Sequence, residues 1–502
     1  MTFISAEFYL FLLILVIAYF IIPLKFRWIA LLIGSIVFYV FQGIEMLPML
    51  LLAAAVGWLF GLGIGRVYND GKTKEIQQAR KKAKLVSGVG IVILIAVLAL
   101  VKSTRYMPEN LAAKMIVPLG ISYYTFSIIS YLIDVYRRKY QPEQNALKFL
   151  LFVAFFPKIL QGPIARYDKL ANQLYEGHRF EYQRVCFGLQ LFLWGLMKKL
   201  IIADRLAIFT DRVFGDVFQM SGSMLLVAAI FATFELYCDF SGCMDMASGV
   251  SQIFGIELEQ NFQRPFFSKS AAEFWRRWHI TLGAWFKDYV YMPVVTSPRM
   301  AKILQWAKKR FGARVGKSLM VILPLAIVWI LTGVWHGTGK AYVMWGIYWG
   351  AMIIASQIWA PEIKKLGRFL HINTEAESFQ IFRMVRTFFL FCIGRIITIP
   401  NSLPTSLEIF RRIAFEFHPW ELVDETLYTY GLDSKDISLL LCMFVLLWAV
   451  AMLQEKGGLR TRIAGYNLVF RWAIYYIAIV ALIVFGIYGP GYDASNFVYM
   501  GF

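Results

Sequence analysis

The chain has 502 residues, a formal net charge of +19 and a composition that is 59% hydrophobic and only 17% charged. An average soluble domain is about 45–50% apolar and about 25% charged, so soluble domains could not bury this much apolar surface. These figures exclude a disordered chain, a collagen-like fibre and a disulfide scaffold, and they predict an all-α polytopic membrane protein. Because Lys and Arg collect between apolar runs, the positive charge indicates contact with the lipid bilayer and no nucleic-acid partner.

Twelve apolar runs approach the roughly 20 residues that a helix needs to cross a bilayer. They cover residues 3–24, 28–43, 46–65, 85–101, 116–136, 183–203, 223–242, 318–335, 341–359, 380–400, 437–454 and 468–489. A shorter run at 147–163 ends at Gly162-Pro163 and suits a re-entrant segment, so we expect about 11–13 membrane segments. The first run has no basic leader and no small-residue cleavage site, which favours a retained membrane helix over a signal peptide.

Two groups of small side chains indicate packing rather than chemistry. The four-residue spacing of Gly57, Gly61 and Gly65 is typical of closely packed helices in lipid, and it lacks the fingerprint of a phosphate-binding loop. The cysteines are odd in number and lack metal-ligand spacing, so we expect buried free thiols and no metal site. They are Cys186, Cys238, Cys243, Cys392 and Cys442.

The distribution of charge predicts the orientation of the chain. Segment 66–84 carries seven basic and two acidic residues, and segment 299–317 carries seven basic residues and no acid. Both are expected to be cytoplasmic loops, which places the N-terminus outside. Segment 401–436 has seven acidic and three basic residues and is expected on the extracytoplasmic side.

Two irregular stretches carry polar side chains beside apolar runs. The stretch FFPKILQGPIARYDKL offers Lys158, Gln161 and Arg166, and NFQRPFF offers Asn261 and Arg264. Polar groups on irregular backbone at membrane depth often line a cavity, although they could equally be loop residues that face water.

Acidic residues also occur within the apolar sequence ELYCDFSGCMDMASG. Glu235, Asp239 and Asp245 must there be paired, solvated or protonated. Ser241 is a weak candidate for a nucleophile, because the chain has no G-x-S-x-G motif around it.

One of five histidines, His279, lies in the aromatic sequence AEFWRRWHITLGAWFKDYVYMPV. Helical spacing puts the large apolar residues on one arc of about 120°, which predicts an amphipathic helix lying in the membrane interface. These residues are Phe274, Trp275, Trp278, Leu282, Trp285 and Phe286. His279 borders that arc, either packing locally or serving as a second catalytic or orienting histidine.

His336 lies between two apolar runs, in LTGVWHGTGKAYVMWGIYWG. An ionisable side chain at membrane depth is costly and often marks a functional site. We expect Gly333, Gly337 and Gly339 to open the backbone there and admit a substrate to the imidazole. The alternative is a structural histidine that bonds to a carbonyl at a helix end.

Four stretches together resemble the membrane-bound O-acyltransferase (MBOAT) family, in particular its bacterial branch of alginate O-acetylase membrane subunits and D-alanyl transfer proteins. The stretches are FFPKILQGPIARY (155–167), FELYCDFSGCMDMASG (234–249), NFQRPFFSKSAAEFWRRWHITLGAWFKDYVYMPV (261–294) and LTGVWHGTGKAYVMWGIYWG (331–350). The final NFVYMGF (496–502) resembles the aromatic tail of that branch, whereas Cys243 stands where an aromatic residue is expected. The resemblance implies one membrane domain over 1–502, with N-terminal helices 1–115, a motif core 116–360 and C-terminal helices 361–502.

The resemblance implies an O-acyltransferase in a bacterial cell membrane, with His336 as its catalytic base and His279 as a second catalytic candidate. The implied donor is cytosolic acetyl-coenzyme A, which is a substrate and not a bound cofactor. The implied acceptor is a polysaccharide or cell-wall glycan outside the cell, reached through an extracytoplasmic acetyltransferase partner. Candidate substrate-binding residues are Gln161, Arg166, Asn261, Arg264, Trp275, Trp278 and Trp335. The basic residues of 299–317 could steer the phosphates of the donor, or they could only set topology.

Two alternatives to acetyl transfer remain open at the level of sequence. An enzyme of the same fold could take D-alanine from a carrier protein and transfer it to teichoic acid, although the length of this chain favours the acetylase type. A transporter or flippase would carry out no bond chemistry and would be expected to show internal repeats, which are not evident here.

Overall fold

A computed structural model describes residues 1–70, 76–107, 117–337, 339–455, 457–488 and 492. The described residues are mostly helical and contain no β-strand, apart from one isolated antiparallel bridge between Phe262 and Trp278. The all-α architecture predicted from the sequence is therefore confirmed.

The helices up to residue 253 include several short elements among the long ones. They are α1 (Ala6–Ile21), α2 (Arg27–Val40), α3 (Leu47–Asp70), α4 (Ile76–Lys102), α5 (Ile121–Tyr136), α6 (Ala146–Ala154), α7 (Phe156–Ile159), α8 (Tyr167–Tyr175), α9 (Tyr182–Met197), α10 (Asp204–Gly215) and α11 (Gly222–Ile253). A π-helical turn, Lys198–Ala203, joins α9 to α10.

The second half of the described chain is also helical. Its helices are α12 (Ala271–Arg277), α13 (Ile280–Phe286), α14 (Met292–Val295), α15 (Pro298–Phe311), α16 (Ala313–His336), α17 (Lys340–Ile358), α18 (Ala360–Phe369), α19 (Glu377–Thr398), α20 (Leu403–Phe415), α21 (Ser434–Glu455), α22 (Leu459–Ala464) and α23 (Leu468–Phe485). A second π-helical turn, Lys287–Tyr291, joins α13 to α14.

Eight helical segments of the described chain are long and apolar enough to cross a membrane, so it is a multi-pass membrane protein. They are α3, α4, the continuous segment Tyr182–Gly215, α11, α16, α17, α21 and α23. The other predicted runs also form helices, but α1, α2 and α5 have only 14–16 residues and α19 carries several charges. The predicted orientation of the chain in the membrane stays a prediction.

The chain divides into two compact units, and the first contains Met1–Lys198, Phe240–Glu259 and the described residues from Tyr466 to Tyr488. The predicted glycine packing is confirmed there: a methyl group at Gly61 would lie 2.7 Å from the ring of Tyr131 on α5. The short segment around 147–163 forms α6 and α7 and is buried in protein. The Phe156 N–H at the start of α7 donates a hydrogen bond to Ser35 Oγ on α2 (3.2 Å).

The second unit contains Lys199–Asp239 and Gln260–Gly465. Its helices α16 and α17 pack closely through small residues, because a methyl group at Gly333 would lie 2.5 Å from the carbonyl oxygen of Tyr342. The expectation that Gly333 opens the backbone is therefore wrong: Gly333 lies inside the last turn of α16, and the helix ends only after His336.

Three further expectations are corrected or only partly tested. Segment 299–317 is not a loop, since it forms α15 and the start of α16. All five cysteines are free, but Cys186 is only half-buried and Cys442 is exposed on α21. Residues 71–75 of the first basic segment and the tail 496–502 lie outside the described residues.

Candidate active site

His336 is the last residue of α16, and its side chain is buried among indole rings. Its exposed fraction is 6%. The imidazole makes edge-to-face contacts with Trp335 and Trp345, with ring centroids 4.7 and 4.9 Å away. Such contacts fix the orientation of the ring in an environment of low polarity, where hydrogen bonds and charges act strongly.

The indole of Trp275, on α12, is the centre of this aromatic cluster. It packs edge to face against Trp329, Trp345 and Trp349, at centroid distances of 5.0, 5.4 and 5.1 Å. Its Nε1–H group is buried and has no hydrogen-bond acceptor among the described residues. A buried donor of this kind is expensive to leave unpaired, which makes Trp275 a candidate to donate to a substrate oxygen.

His279 also contacts Trp335, with a centroid distance of 5.9 Å between the two rings. Trp335 therefore contacts both histidines that the sequence predicts to be catalytic. His279 sits between α12 and α13, its exposed fraction is 2%, and its backbone has φ = 48°, in the left-handed region. A residue held in that conformation without being glycine is often part of a functional site.

The side chain of Asn261 determines which nitrogen of His279 carries the proton. Asn261 Oδ1 accepts hydrogen bonds from the backbone N–H and the hydroxyl of Thr281, at 3.0 and 2.9 Å. It also lies 3.2 Å from His279 Nδ1. Because an amide oxygen can only accept, Nδ1 must be the protonated nitrogen, so Nε2 of the neutral ring is a hydrogen-bond acceptor.

Burial holds His279 in its neutral form. Removal of the ring from water lowers the pKa of His279 to about 3, far below the usual value near 6.5. A carbonyl-type oxygen from Asn261, rather than a carboxylate, fixes the ring without favouring its protonation. His279 is thus an oriented hydrogen-bond acceptor at neutral pH.

The predicted amphipathic helix around His279 is wrong, because the helix is interrupted there. The Gln263 N–H donates to the Arg277 carbonyl (2.8 Å), and the Ile280 N–H donates to the Asn261 carbonyl (3.0 Å). These bonds pair residues 261–263 with 277–280 and pull the chain out of helical geometry. The aromatic residues face protein rather than a membrane interface: Trp278 is 1% exposed and packs on Phe262 and Phe274.

The remaining predicted binding residue of this unit, Arg264, is already engaged in the protein. Its backbone is left-handed, with φ = 48°, and its carbonyl accepts from the Arg277 guanidinium at 3.5 Å. Its own guanidinium lies 3.4 Å from the carboxylate of Glu455. These contacts support a role in holding the 261–277 segment in place.

Gln161 and Arg166, with Lys158, belong to the other unit and are described separately. All three side chains are buried, with exposed fractions of 1%, 9% and 3%. Lys158 and Gln161 lie on one turn at the end of α7, and Arg166 precedes α8. Their role in substrate binding stays a prediction.

The polar groups within the apolar runs are paired, as expected. Lys199 Nζ lies 2.7 Å from the carboxylate of Asp239 and 2.8 Å from that of Asp204. In the other unit, Lys198 Nζ contacts Asp245 at 2.6 Å and donates to Ser241 Oγ at 2.9 Å. Ser241 thus accepts from a lysine, which gives it a structural partner.

Sequence reasoning missed two residues that the structure brings to the site. Trp345 contacts His336, and Thr281 supplies two of the donors to Asn261. Spacing could have indicated Trp345, since Trp345 and Trp349 lie four residues apart on α17 and therefore share one face of that helix. No local signal identifies Thr281, because its partner is 20 residues away.

Known proteins resemble this chain over much of its length. Residues 104–307 match the model of MBOAT, the membrane-bound O-acyltransferase family. A probable alginate O-acetylase of Pseudomonas fluorescens is 32% identical over 414 residues, covering 82% of this chain and 75% of that protein. The peptidoglycan O-acetyltransferase of Helicobacter pylori is 28% identical, covering 67% of this chain and 65% of that protein.

A third relative transfers a different acyl group according to its name. The teichoic acid D-alanyltransferase of Bacillus subtilis is 29% identical over 302 residues, covering 58% of this chain and 69% of that protein. The alginate O-acetylase match exceeds 30% identity over more than two thirds of both chains. This multi-pass helical chain therefore belongs to the membrane-bound O-acyltransferase family and is an O-acyltransferase.

Proposed function

We propose that this protein takes an acetyl group from cytosolic acetyl-coenzyme A and passes it across the bacterial cell membrane to a hydroxyl group of an extracytoplasmic glycan. The observation that carries the proposal is the buried His336 between Trp335 and Trp345, in the stretch that resembles the family's catalytic motif. The proposal includes an extracytoplasmic acetyltransferase as partner, which either receives the acetyl group or presents the acceptor.

In the proposed reaction the oxygen of the acceptor hydroxyl attacks the carbonyl carbon of the thioester. His336 takes the hydroxyl proton as the C–O bond forms, and the carbonyl oxygen becomes an oxyanion. The tetrahedral intermediate then collapses, the C–S bond breaks, and the sulfur leaves with the proton from His336 as the free thiol of coenzyme A. The products are an O-acetyl ester and coenzyme A.

Two neighbouring groups support this chemistry. The buried N–H of Trp275 is a candidate donor to the developing oxyanion, since a prealigned donor in a water-poor site stabilises that charge. His279, with its Nδ1–H fixed by Asn261, is a candidate to orient the acceptor hydroxyl through Nε2. Trp275 is thus assigned as the oxyanion donor, His279 as the group that orients the acceptor hydroxyl, and His336 as the base.

The choice of acetyl over D-alanyl as the transferred group rests on the extent of the similarity. The alginate O-acetylase relative covers 82% of this chain, against 58% for the D-alanyltransferase. A polysaccharide acceptor is supported by the same relative, whose name specifies alginate.

The test is transfer of a radiolabelled acetyl group from acetyl-coenzyme A by the full-length protein in proteoliposomes, with its partner and glycan outside. His336→Ala should lower transfer by about 10²–10⁴-fold while the thermal midpoint stays near that of the wild type. His371→Asn, at an exposed histidine, is the matched control and should keep full activity.

Full activity of His336→Ala would remove this residue from the mechanism. Transfer from a D-alanyl carrier protein, with none from acetyl-coenzyme A, would show that the carrier protein is the acyl donor. Movement of an intact donor or glycan across the membrane with no acyl transfer would identify a transporter and overturn the proposal.

A further inference from the structure

Lys158 and Gln161 are buried polar residues whose hydrogen-bonding groups have no partners in the described chain. Lys158 is 3% exposed and Gln161 is 1% exposed. Neither the Nζ of Lys158 nor either amide atom of Gln161 makes a hydrogen bond with any described residue. They are three residues apart on one turn at the end of α7, so their side chains leave the backbone on the same face.

Burial of these groups without partners is costly. An ammonium ion removed from water without a counter-ion costs several kcal/mol, and a buried amide without hydrogen bonds costs about 1–3 kcal/mol. Within the described part of the chain, the Lys158 ammonium lies over the ring face of Phe152, 4.3 Å from its centroid. A cation–π contact offsets only about 1–2 kcal/mol of such a cost.

The other buried lysines of the described chain form ion pairs. Lys199 contacts two carboxylates, and Lys198 contacts one carboxylate and one hydroxyl. Lys158 forms no ion pair among the described residues, and burial alone lowers its pKa to about 7. Lys198 and Lys199 are thus neutralised by acidic residues of the protein, whereas Lys158 has no such residue beside it in the described chain.

The backbone around the pair is fixed, so the side chains cannot easily turn away. Any side chain at Gly162 would collide with the backbone of Lys158, and a side chain at Gly120 would collide with the carbonyl of Ile159. The Gly162 N–H donates to the Lys158 carbonyl at 3.0 Å, which closes the turn. The backbone turn that carries both side chains is therefore fixed.

We propose that Lys158 and Gln161 form a subsite that binds an oxyanion, a carboxylate or a phosphate, carried by a substrate. The ammonium supplies the countercharge, and the Gln161 amide donates a second hydrogen bond to the same group or accepts one from a neighbouring hydroxyl. The oxyanion could belong to an acidic sugar of the acceptor or to the phosphates of the donor. The subsite stands whether or not acetyl is the transferred group, because binding needs no turnover.

The test measures binding to the full-length protein in lipid nanodiscs without a second substrate. Inorganic phosphate, glucuronate and coenzyme A are titrated separately by calorimetry, with glucose as the uncharged comparison. Lys158→Met and Gln161→Leu should each weaken binding of the favoured anion at least tenfold. Lys169→Met, at an exposed lysine paired with Glu259 in the same unit, is the matched control and should bind as the wild type does.

Thermal stability separates a ligand site from a structural one. Without anion, Lys158→Met should have an unchanged or higher thermal midpoint, because it removes an uncompensated buried charge. Gln161→Glu provides a second variant that folds with a carboxylate beside the lysine: its midpoint should rise and its anion binding should be lost.

The two sources of the oxyanion give different results. Binding of glucuronate that depends on Lys158 assigns the acceptor, and binding of coenzyme A that depends on Lys158 assigns the donor. The proposal is overturned if no anion binds more tightly than glucose. It is equally overturned if Gln161→Glu and Gln161→Leu bind anions as the wild type does, or if both lose stability without anion.

Discussion

The neutral state of His279 gives a stability test that is independent of activity. Burial lowers the pKa of His279 to about 3 in the folded protein, against about 6.5 in the unfolded chain. Below pH 6.5 the unfolded chain therefore binds a proton that the folded protein does not. Protonation of the unfolded state then favours unfolding, so stability falls as the pH falls from about 6.5 towards 3.

The size of the effect follows from these two values. At pH 7.5 the His279 contribution is close to zero, and at pH 5 the unfolded state gains about 2 kcal/mol from protonation. His279→Asn removes the titration while keeping two features of the site. An asparagine amide can replace Nδ1–H as donor to Asn261, and asparagine tolerates the backbone conformation at φ = 48°.

The assay is the free energy of unfolding of the purified full-length protein in detergent, followed at pH 7.5 and pH 5. The wild type should lose about 2 kcal/mol more than His279→Asn over this interval. His371→Asn is the control, because His371 is also left-handed, at φ = 53°, but exposed. If the loss of unfolding free energy between pH 7.5 and pH 5 differs by less than about 0.5 kcal/mol between wild type and His279→Asn, then His279 is not held neutral by burial.

Two further pairs of substitutions test the packing between α16 and α17 and the buried ion pair of Lys199. Gly333→Ala puts a methyl group 2.5 Å from a backbone carbonyl of α17, so it should cost about 1–3 kcal/mol and reduce acyl transfer. Gly367→Ala is the control, because Gly367 on α18 faces open space, and it should leave the thermal midpoint unchanged or raise it. Equal changes of the thermal midpoint in the two variants would refute the close packing at Gly333. Lys199→Met leaves Asp239 buried without its counter-ion and should cost about 3–5 kcal/mol, whereas Lys169→Met should change unfolding by less than about 0.5 kcal/mol. A small loss for Lys199→Met would show that the acids are protonated without it.

Local sequence patterns predicted those parts of the fold that depend on local physics. Hydropathy located the helices, because a helix in lipid must satisfy its own backbone and present apolar side chains. The spacing of Gly57 and Gly61 predicted close helix contact for the same reason. The charges of the basic segment 299–317 predict a cytoplasmic loop but carry no information on its secondary structure. Its residues nevertheless form α15, where Ser297 caps the first turn by accepting from the Met300 N–H.

The interruption at His279 could not be predicted locally. The pattern from Phe274 to Phe286 fits one amphipathic helix, and nothing within it signals a left-handed residue. The cause is Asn261, 18 residues earlier, whose carbonyl and side-chain oxygens compete for the N–H groups of Ile280 and Thr281. A side chain distant in sequence thus overrides helical periodicity, as tertiary contacts often do.

The low pKa of His279 suggests how the two imidazoles divide their roles in the proposed reaction. A general base works best when its pKa lies near the operating pH, and a group with a pKa of about 3 accepts a proton poorly at neutral pH. His279 is therefore better suited to accept a hydrogen bond than to take a proton, and Asn261 fixes the tautomer for that task. In the proposed reaction, proton transfer is assigned to His336, the other imidazole that contacts Trp335. If the roles divide in this way, His279→Asn should lower the rate of acyl transfer without changing the pH below which that rate falls. A change in that pH would assign the proton transfer to His279.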